Sequence, residues 1–280
     1  MKRILTAVVL IALVFAIVFF GQLWMITLFA ALVAELAAYE YLQLASLSGA
    51  KVPLWWMAAA TAMVFVASYA WPIEAQLPVL SAMGFVLFAV SGFRAPLKRV
   101  LVDTSAGLFG LVYIAYTMSL LPLIWNRDDG KPLLIFLMVC VWAGDIAALY
   151  IGKNFGRHKL APKLSPGKTW EGATASLIGT MVVAACVFWI GDAFSAHGNM
   201  VLHIEEPLWQ LLLLAVVLNA AAQLGDLLES AIKRGAEVKD SGTMLPGHGG
   251  ILDRIDALLL ATPVLWYALL IKDWLHVGRF

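Results

Sequence analysis

The sequence contains few charged residues, and this scarcity decides its broad class. Only 13% of its 280 residues are charged, while 62% are hydrophobic. Soluble domains carry about 25% charged residues. The mean hydropathy is +0.88. This composition excludes an ordinary soluble protein and predicts an integral membrane protein.

Other absences exclude further classes. The two cysteines, Cys140 and Cys186, lie in apolar runs, so a disulfide framework is not expected. The net charge of +1 indicates no nucleic-acid partner. No long polar linker, internal repeat or low-complexity segment divides the chain. We therefore expect one integral membrane domain over residues 1–280.

Long apolar runs fill most of the chain. A membrane-spanning helix needs roughly 20 mostly apolar residues. On that basis the sequence predicts an all-α, polytopic membrane protein with about nine transmembrane helices. The predicted spans are 4–20, 23–45, 54–72, 77–93, 106–125, 132–152, 171–193, 207–231 and 251–272. The first run is long and no small-x-small cleavage site follows it, so it is a span rather than a signal peptide.

The distribution of Lys and Arg predicts the orientation in the membrane. With nine alternating helices, fourteen of these residues fall on the side of the N-terminus and four on the other, with Arg254 inside the last helix. Because cytoplasmic loops are enriched in Lys and Arg, Lys2 is expected in the cytoplasm and Phe280 outside. The two most basic loops, 153–170 and 232–250, then share the cytoplasmic side.

The first basic loop contains the segment "PKLSPGKTWEG". Its charge is typical of a loop that only sets topology, and this interpretation stays open. However, Lys163, Ser165, Lys168 and Thr169 can all donate hydrogen bonds. They precede a predicted helix N-terminus, which also favours anions. We therefore predict that Lys163, Ser165 and Lys168 bind a polyphosphate.

Three carboxylates fall inside predicted spans. Asp145 lies in "VWAGDIAALY", and a carboxylate within a span is costly unless it is paired or hydrated. Asp145 is therefore a candidate functional residue, and the alternative is a structural pair with a lysine near the end of its helix. Glu35 and Glu40 lie in "VAELAAYEY". If they lie close enough to the membrane interface to be solvated, their role is structural, and the alternative of a functional role stays open.

The second basic loop is flanked by a cluster of acids. Asp226, Glu229 and Ser230 share one face of the eighth predicted helix, and Asp253 and Asp256 are one turn apart at the start of the ninth. Carboxylates crowded at the edge of an apolar region repel one another unless a cation joins them. Hard divalent cations prefer oxygen ligands. The pattern therefore predicts a magnesium site.

Between these helices the loop supplies positive charge. Lys233, Arg234 and Lys239 can meet phosphates, and "PGHGG" allows the backbone N–H groups of Gly249 and Gly250 to approach an anion. This combination is typical of magnesium-assisted phosphate chemistry.

Two residues of this region have open roles. His248 either donates to a phosphate, assists a leaving group or is merely solvated. Arg254 either pairs with the neighbouring aspartates or binds a lipid phosphate. The alternative for the whole cluster is a network of ion pairs at helix ends.

The same residues resemble a known signature. The run from Ser230 to Asp256 resembles that of bacterial phosphatidate cytidylyltransferases, also called CDP-diacylglycerol synthases. The segment "KLSPGKTWEG" at 163–172 is similar to a second block of this family. The matching signature residues are Ser230, Lys233, Arg234, Lys239, Asp240, Gly242, Pro246, His248, Gly249, Gly250, Asp253, Arg254 and Asp256.

The resemblance implies a magnesium-dependent transferase that joins CTP to phosphatidate, giving CDP-diacylglycerol and pyrophosphate. It implies Mg²⁺ ligation by Asp226, Asp253 and Asp256. Asp145 is a further candidate ligand because it lies inside a predicted span. It also implies a homodimer in the bacterial inner membrane, with a site open to the cytoplasm and to lipid. The implied catalytic residues are Lys233, Arg234, Lys239, Asp240, His248 and Arg254.

Two other functions fit part of the pattern. In an ion transporter or channel, Asp145, Asp226, Asp253 and Asp256 would form an ion path, but the basic loops would have no role. A CTP-dependent kinase of lipid alcohols would share nucleotide and metal, but the completeness of the signature disfavours it.

Overall fold

The computed structural model describes residues 2–244 and 249–277, and within them the side chains of residues 11–244 and 249–275. These ranges are almost entirely helical. The helices are α1 Lys2–Phe20, α2 Leu23–Leu47, α3 Leu54–Ala70, α4 Gln76–Arg94, α5 Leu97–Gly110, α6 Thr117–Trp125, α7 Gly130–Phe155, α8 Trp170–Ser195, α9 Leu208–Gly235 and α10 Leu252–Val277. A 3₁₀ turn, Ile73–Ala75, precedes α4, and a π-helical segment, Leu111–Tyr116, joins α5 to α6.

Each predicted span coincides with a helix in the described part of the chain. Two of these apolar helices are short, Ile11–Phe20 and Leu54–Ala70. The all-α, multi-pass prediction is therefore confirmed, with about nine apolar helices. The seven helices that are long and apolar enough to cross a membrane are Leu23–Leu47, Ile73–Arg94, Leu97–Trp125, Gly130–Phe155, Trp170–Ser195, Leu208–Gly235 and Leu252–Leu275.

Two predicted boundaries are wrong. The fifth span was expected to begin at residue 106, but its helix begins at Leu97 because the polar residues at 98, 99 and 103 belong to the helix rather than to a loop. The eighth helix continues to Gly235 and so includes Lys233 and Arg234, which were assigned to the following loop. In both cases the helix extends beyond its apolar part, which hydropathy alone does not detect.

The first basic loop contains a small β-hairpin that the sequence did not predict. Strands β1 Lys159–Ala161 and β2 Ser165–Thr169 pair antiparallel, with Lys159 opposite Thr169 and Ala161 opposite Ser165. Thr169 ends β2 and caps α8, because its hydroxyl accepts a hydrogen bond from the backbone N–H of Gly172 at 3.1 Å. The hairpin therefore delivers its last residues directly to a helix N-terminus.

The helices form two compact units. Unit 1 consists of Met1–Leu123 with Ile232–Ile255, and unit 2 of Ile124–Ala231 with Asp256–Phe280. Unit 2 contains the hairpin, α7, α8 and most of α9 and α10. Unit 1 contains α1–α5 and the second basic loop, 232–250, here called the signature loop. The single-domain interpretation of residues 1–280 stays a prediction.

Candidate active site

A cavity of about 470 Å³ lies within unit 2. Its walls come from α7, the hairpin, α8 and α9. The lining includes two lysines and two aspartates together with small residues that leave room for a ligand. The lining residues are Asp145, Ala148, Leu149, Gly152, Lys153, Leu160, Gly167, Lys168, Thr169, Gly172, Ala173, Ser176, Gln223 and Asp226.

Lys168 and Asp226 form the central ion pair of this cavity. The Lys168 ammonium lies 2.6 Å from the Asp226 carboxylate, and both side chains remain partly exposed. Lys168 stands immediately before the N-terminus of α8, where the positive end of the helix dipole favours anions. The pair therefore offers a cation to phosphate oxygens and a carboxylate to a metal at the same place.

A network of polar side chains joins α8 and α9 next to the cavity. Asn219 donates to the hydroxyls of Ser176 at 2.8 Å and Thr180 at 2.9 Å. Gln223 donates to the Asn219 side-chain oxygen at 2.6 Å and to the Ala173 carbonyl at 3.3 Å. Because buried polar groups are costly unless they are hydrogen-bonded, these contacts hold Ser176 and Gln223 in fixed positions on the cavity lining.

Close helix packing around the cavity depends on glycine. A Cβ on Gly144 would lie 2.8 Å from polar atoms of Asn219, Ser176 and Thr180. A Cβ on Gly225 would lie 2.5 Å from the carbonyl oxygen of Asp256. The second contact brings α9 and α10 together at the level of Asp226 and Asp256.

The donor set of the cavity suits magnesium. Mg²⁺ is usually bound by one or two carboxylates together with waters and substrate phosphates, rather than by a complete protein cage. Asp145 and Asp226 supply two carboxylates in one cavity, beside two lysines that suit phosphates. Among the described residues no group of three or more His, Cys, Asp or Glu side chains forms a ready metal cage. The residues therefore fit a metal that arrives with its phosphate ligand.

In unit 1, Asp253 organises the signature loop. One of its oxygens accepts from the Lys233 ammonium at 2.6 Å, and the other accepts from the backbone N–H groups of Ser241 at 3.0 Å and Gly250 at 2.8 Å. Only 8% of the Asp253 side chain is exposed. This carboxylate ties the end of α9 and both ends of the glycine-rich loop to the start of α10.

Glu40 of α2 reinforces the same loop from the opposite end of the sequence. It is 1% exposed, and one oxygen accepts from the Ser241 hydroxyl at 3.0 Å and from the Leu252 backbone N–H at 2.9 Å. A side chain at Gly242 or Gly250 would overlap the Glu40 carboxylate. Glu40 therefore requires glycine at two positions of the signature, and it holds Ser241 and Leu252 on either side of them.

The remaining predicted site residues lie outside these buried contacts. Lys163 is exposed in the turn between β1 and β2. Lys239, Asp240 and Arg254 are exposed, and Arg234 donates to the Val238 carbonyl at 2.9 Å. Gly249 has φ +78°, a backbone conformation that favours glycine. His248, Pro246 and Gly247 lie outside the described residues.

Comparison with known proteins decides the family. Residues 1–272 match the Cytidylyltransferase family. The chain belongs to this family. It is 33% identical to a phosphatidate cytidylyltransferase of Staphylococcus haemolyticus, over 94% of this chain and 96% of that protein. It is also 33% identical to the phosphatidate cytidylyltransferase of Haemophilus influenzae, over 95% of this chain and 97% of that one.

Sequence reasoning missed several residues of this cytidylyltransferase. Lys153 begins the predicted basic loop 153–170 and has no role in the predicted site, yet it lines the cavity with Lys168. Asn219 and Gln223 have a signal in the sequence, because two amides four residues apart in an apolar helix share one face. Glu40 has no such signal, because its partner Ser241 is 201 positions away.

Proposed function

We propose that this cytidylyltransferase transfers CMP from CTP to phosphatidate, giving CDP-diacylglycerol and pyrophosphate for phospholipid synthesis. The observation that carries the proposal is the match to phosphatidate cytidylyltransferases over nearly the whole chain. The cavity of unit 2 adds support, because it combines lysines for phosphates with carboxylates for a divalent cation.

The reaction needs little acid–base chemistry from the protein. A phosphate oxygen of phosphatidate attacks the α-phosphorus of CTP, a new P–O bond forms, and the bond to the bridging oxygen of the β-phosphate breaks. Pyrophosphate leaves with that electron pair. Because the attacking phosphate is already ionised at neutral pH, the barrier arises mainly from bringing anions together and from the charge on the leaving group.

The residues of the cavity meet these two demands. Lys153 and Lys168 neutralise phosphate charge, and the positive end of the α8 dipole adds to their effect. In a site that excludes water, such fixed charges stabilise developing negative charge more than water does. Ser176 and Gln223, held by the polar network, are available to orient the nucleotide. Oriented binding supplies the proximity that the reaction requires.

We propose that Asp145 and Asp226 hold Mg²⁺ in this cavity. Asp253 and Asp256 stay candidate metal ligands because the signature implies them. When bound, the metal would neutralise phosphate charge and favour departure of pyrophosphate. The existing contacts give Asp253 a second role, since both of its oxygens already accept hydrogen bonds that hold the signature loop.

The setting of the enzyme is also proposed. We place it in the bacterial inner membrane as a homodimer, with its N-terminus and its site on the cytoplasmic side, where CTP is available. The bacterial relatives support the membrane assignment, and the distribution of Lys and Arg supports the orientation.

The transfer is tested with CTP labelled at the α-phosphorus. Purified protein is incubated with this nucleotide, Mg²⁺ and phosphatidate in mixed micelles, and lipid and aqueous products are separated. We expect the label in the lipid fraction, in equal amount to the pyrophosphate released. Label confined to soluble products indicates a lipid kinase, and an absence of CTP turnover indicates transport; either result contradicts the proposal. Diacylglycerol in place of phosphatidate serves as the acceptor control.

A further inference from the structure

A second, smaller cavity of about 210 Å³ lies within unit 1. It is formed by the residues before α3, the end of α4, the α4–α5 turn and the first turns of α5. Its charged lining residues are Lys51, Arg94, Arg99 and Asp103. Three cations thus face one carboxylate, which leaves two positive charges uncompensated within the described lining.

The single carboxylate has a structural role. Asp103 is 1% exposed and accepts from the Lys51 backbone N–H at 2.7 Å and from the Arg99 guanidinium at 2.9 and 3.0 Å. These contacts fix Arg99 and the chain before α3 in place. The Arg99 Nε is buried and has no acceptor among the described residues. An anion in the cavity would supply an acceptor, which a buried N–H group otherwise lacks at a cost.

The surroundings of the cavity are those of a membrane surface. Arg94 ends a helix long and apolar enough to cross a membrane. Next to its lining residues along α4 and α5 stand apolar side chains that are largely exposed: Phe93 is 92%, Leu97 85% and Leu101 75% exposed. Exposed apolar side chains at the end of a membrane-spanning helix suit lipid chains, and a basic pocket at this depth suits a phosphate headgroup.

We propose that this cavity binds the phosphate headgroup of an anionic membrane lipid, and that it prefers a phosphomonoester. A phosphomonoester carries close to two negative charges at neutral pH, which matches the two uncompensated cations. A phosphodiester headgroup carries one, and a zwitterionic headgroup has no net charge. The choice of a phosphomonoester lipid rests on the proposed function, because phosphatidate is the lipid that the proposed reaction consumes.

The test is direct binding of phosphatidate, measured by native mass spectrometry of the detergent-solubilised protein without CTP. Lys51→Gln and Arg94→Gln remove the two exposed cations and leave the Arg99–Asp103 pair intact. We expect each variant to weaken binding of one phosphatidate molecule about fivefold, the scale of one cation near a membrane surface. Lys98→Gln is the matched control, because Lys98 is an exposed cation beside the cavity that does not line it. Its phosphatidate affinity should equal that of the wild type.

Further ligands define the chemistry of the site. Phosphatidylglycerol should bind less tightly than phosphatidate, and phosphatidylcholine should not distinguish the variants from the wild type. The inference is overturned if Lys51→Gln and Arg94→Gln bind phosphatidate as the wild type does, or if Lys98→Gln loses as much affinity. Inorganic phosphate that binds as tightly as phosphatidate overturns the lipid assignment.

A parallel assay separates this inference from the proposed function. Transfer of labelled CMP to phosphatidate is measured for the wild type in the same preparation. If the wild type transfers CMP and the variants bind phosphatidate as tightly as the wild type, the lipid site in unit 1 is overturned and the proposed reaction stands. Loss of binding in the variants without any transfer by the wild type supports a phosphate-lipid site and overturns the proposed reaction.

Discussion

Asp226 is the residue whose surroundings best fit a metal ligand. Its carboxylate lines the cavity of unit 2 and pairs with Lys168, and it is only partly buried. Asp253 differs, because Lys233 and two backbone N–H groups already occupy its oxygens. Substitution at Asp253 therefore disturbs the loop as well as any metal, whereas substitution at Asp226 reports mainly on the cavity.

We predict that Asp226→Asn lowers turnover by about 10²-fold, the scale of about 2.7 kcal/mol for removing one electrostatic contact to a transition state. The side chain keeps its shape and only its charge is lost, so the protein should fold normally. The measurement is turnover as a function of Mg²⁺ concentration. Asp192→Asn, at an exposed aspartate near the end of α8, is the control. Equal turnover in both variants would place the metal elsewhere.

The contacts of Glu40 predict an effect on the stability of the protein. Glu40→Ala leaves the Ser241 hydroxyl and the Leu252 N–H without their acceptor, at a cost of roughly 1–3 kcal/mol for each buried group. We expect a clear fall in thermal stability in detergent, and faster amide hydrogen exchange at the start of α10. Glu40→Gln retains one acceptor oxygen and should lie between Glu40→Ala and the wild type.

The control for this pair is Glu35→Ala, on the same helix but on a different face. If Glu35→Ala and Glu40→Ala lower stability equally, the contacts to the signature loop are not the reason. The sequence could not assign this role to Glu40, because contacts between residues 201 positions apart depend on the tertiary fold and leave no local pattern.

At the scale of elements, the sequence predicts the apolar helices, because hydropathy determines where they lie. Every predicted span contains a helix, because a long apolar run buries its backbone polar groups only when it is helical. The hairpin was missed because β1 has only three residues and β2 is the polar segment "SPGKT". Neither strand has the alternating apolar pattern that identifies a half-buried strand. The hairpin nevertheless decides where the two lysines lie: Lys168 is at the end of β2 and lines the cavity, whereas Lys163 is exposed in the turn.

Packing between α9 and α10 is tested with two glycines of α9. Gly225→Ala places a Cβ 2.5 Å from the Asp256 carbonyl oxygen, and overpacking of this kind costs about 1–3 kcal/mol. We expect a lower melting temperature and reduced turnover, since the contact lies beside Asp226. In Gly235→Ala, the matched control, the new Cβ meets nothing within 4 Å. That variant should be as stable as the wild type, and a similar loss in both would refute the packing argument.

At the scale of the whole molecule, charge predicts orientation. Three of the four cations on the predicted outer side are engaged in the structure. Arg127 donates to Asp273 at 2.8 and 2.9 Å, and this hydrogen bond raises the pKa of Arg127. Lys272 pairs with Glu206, and Lys131 lies 5.1 Å from the centre of the Trp125 ring. These contacts hold the three cations in place, and the predicted orientation rests on the count of fourteen Lys and Arg residues against four.

We therefore predict that Lys2 faces the cytoplasm and Phe280 the outside. Reporters that are active on only one side of the membrane, fused to each terminus in turn, measure this directly. If both chain termini lie on the same side of the membrane, one of the short helices, Ile11–Phe20 or Leu54–Ala70, does not cross it.

The central claim is that the cavity of unit 2 holds the phosphates of CTP. It is tested most directly by the KM for CTP of Lys168→Gln beside that of Lys163→Gln, with CMP transfer to phosphatidate as the readout. The sequence predicts that both lysines bind a polyphosphate, but of the two only Lys168 is among the described residues that line the cavity. A hydrogen bond to a charged group contributes roughly 1.5–3 kcal/mol. We therefore expect the KM for CTP to rise about 10-fold or more for Lys168→Gln, with the KM for phosphatidate little changed, and to stay near the wild-type value for Lys163→Gln. A KM for CTP that is unchanged in Lys168→Gln, or raised equally in both variants, would contradict the account.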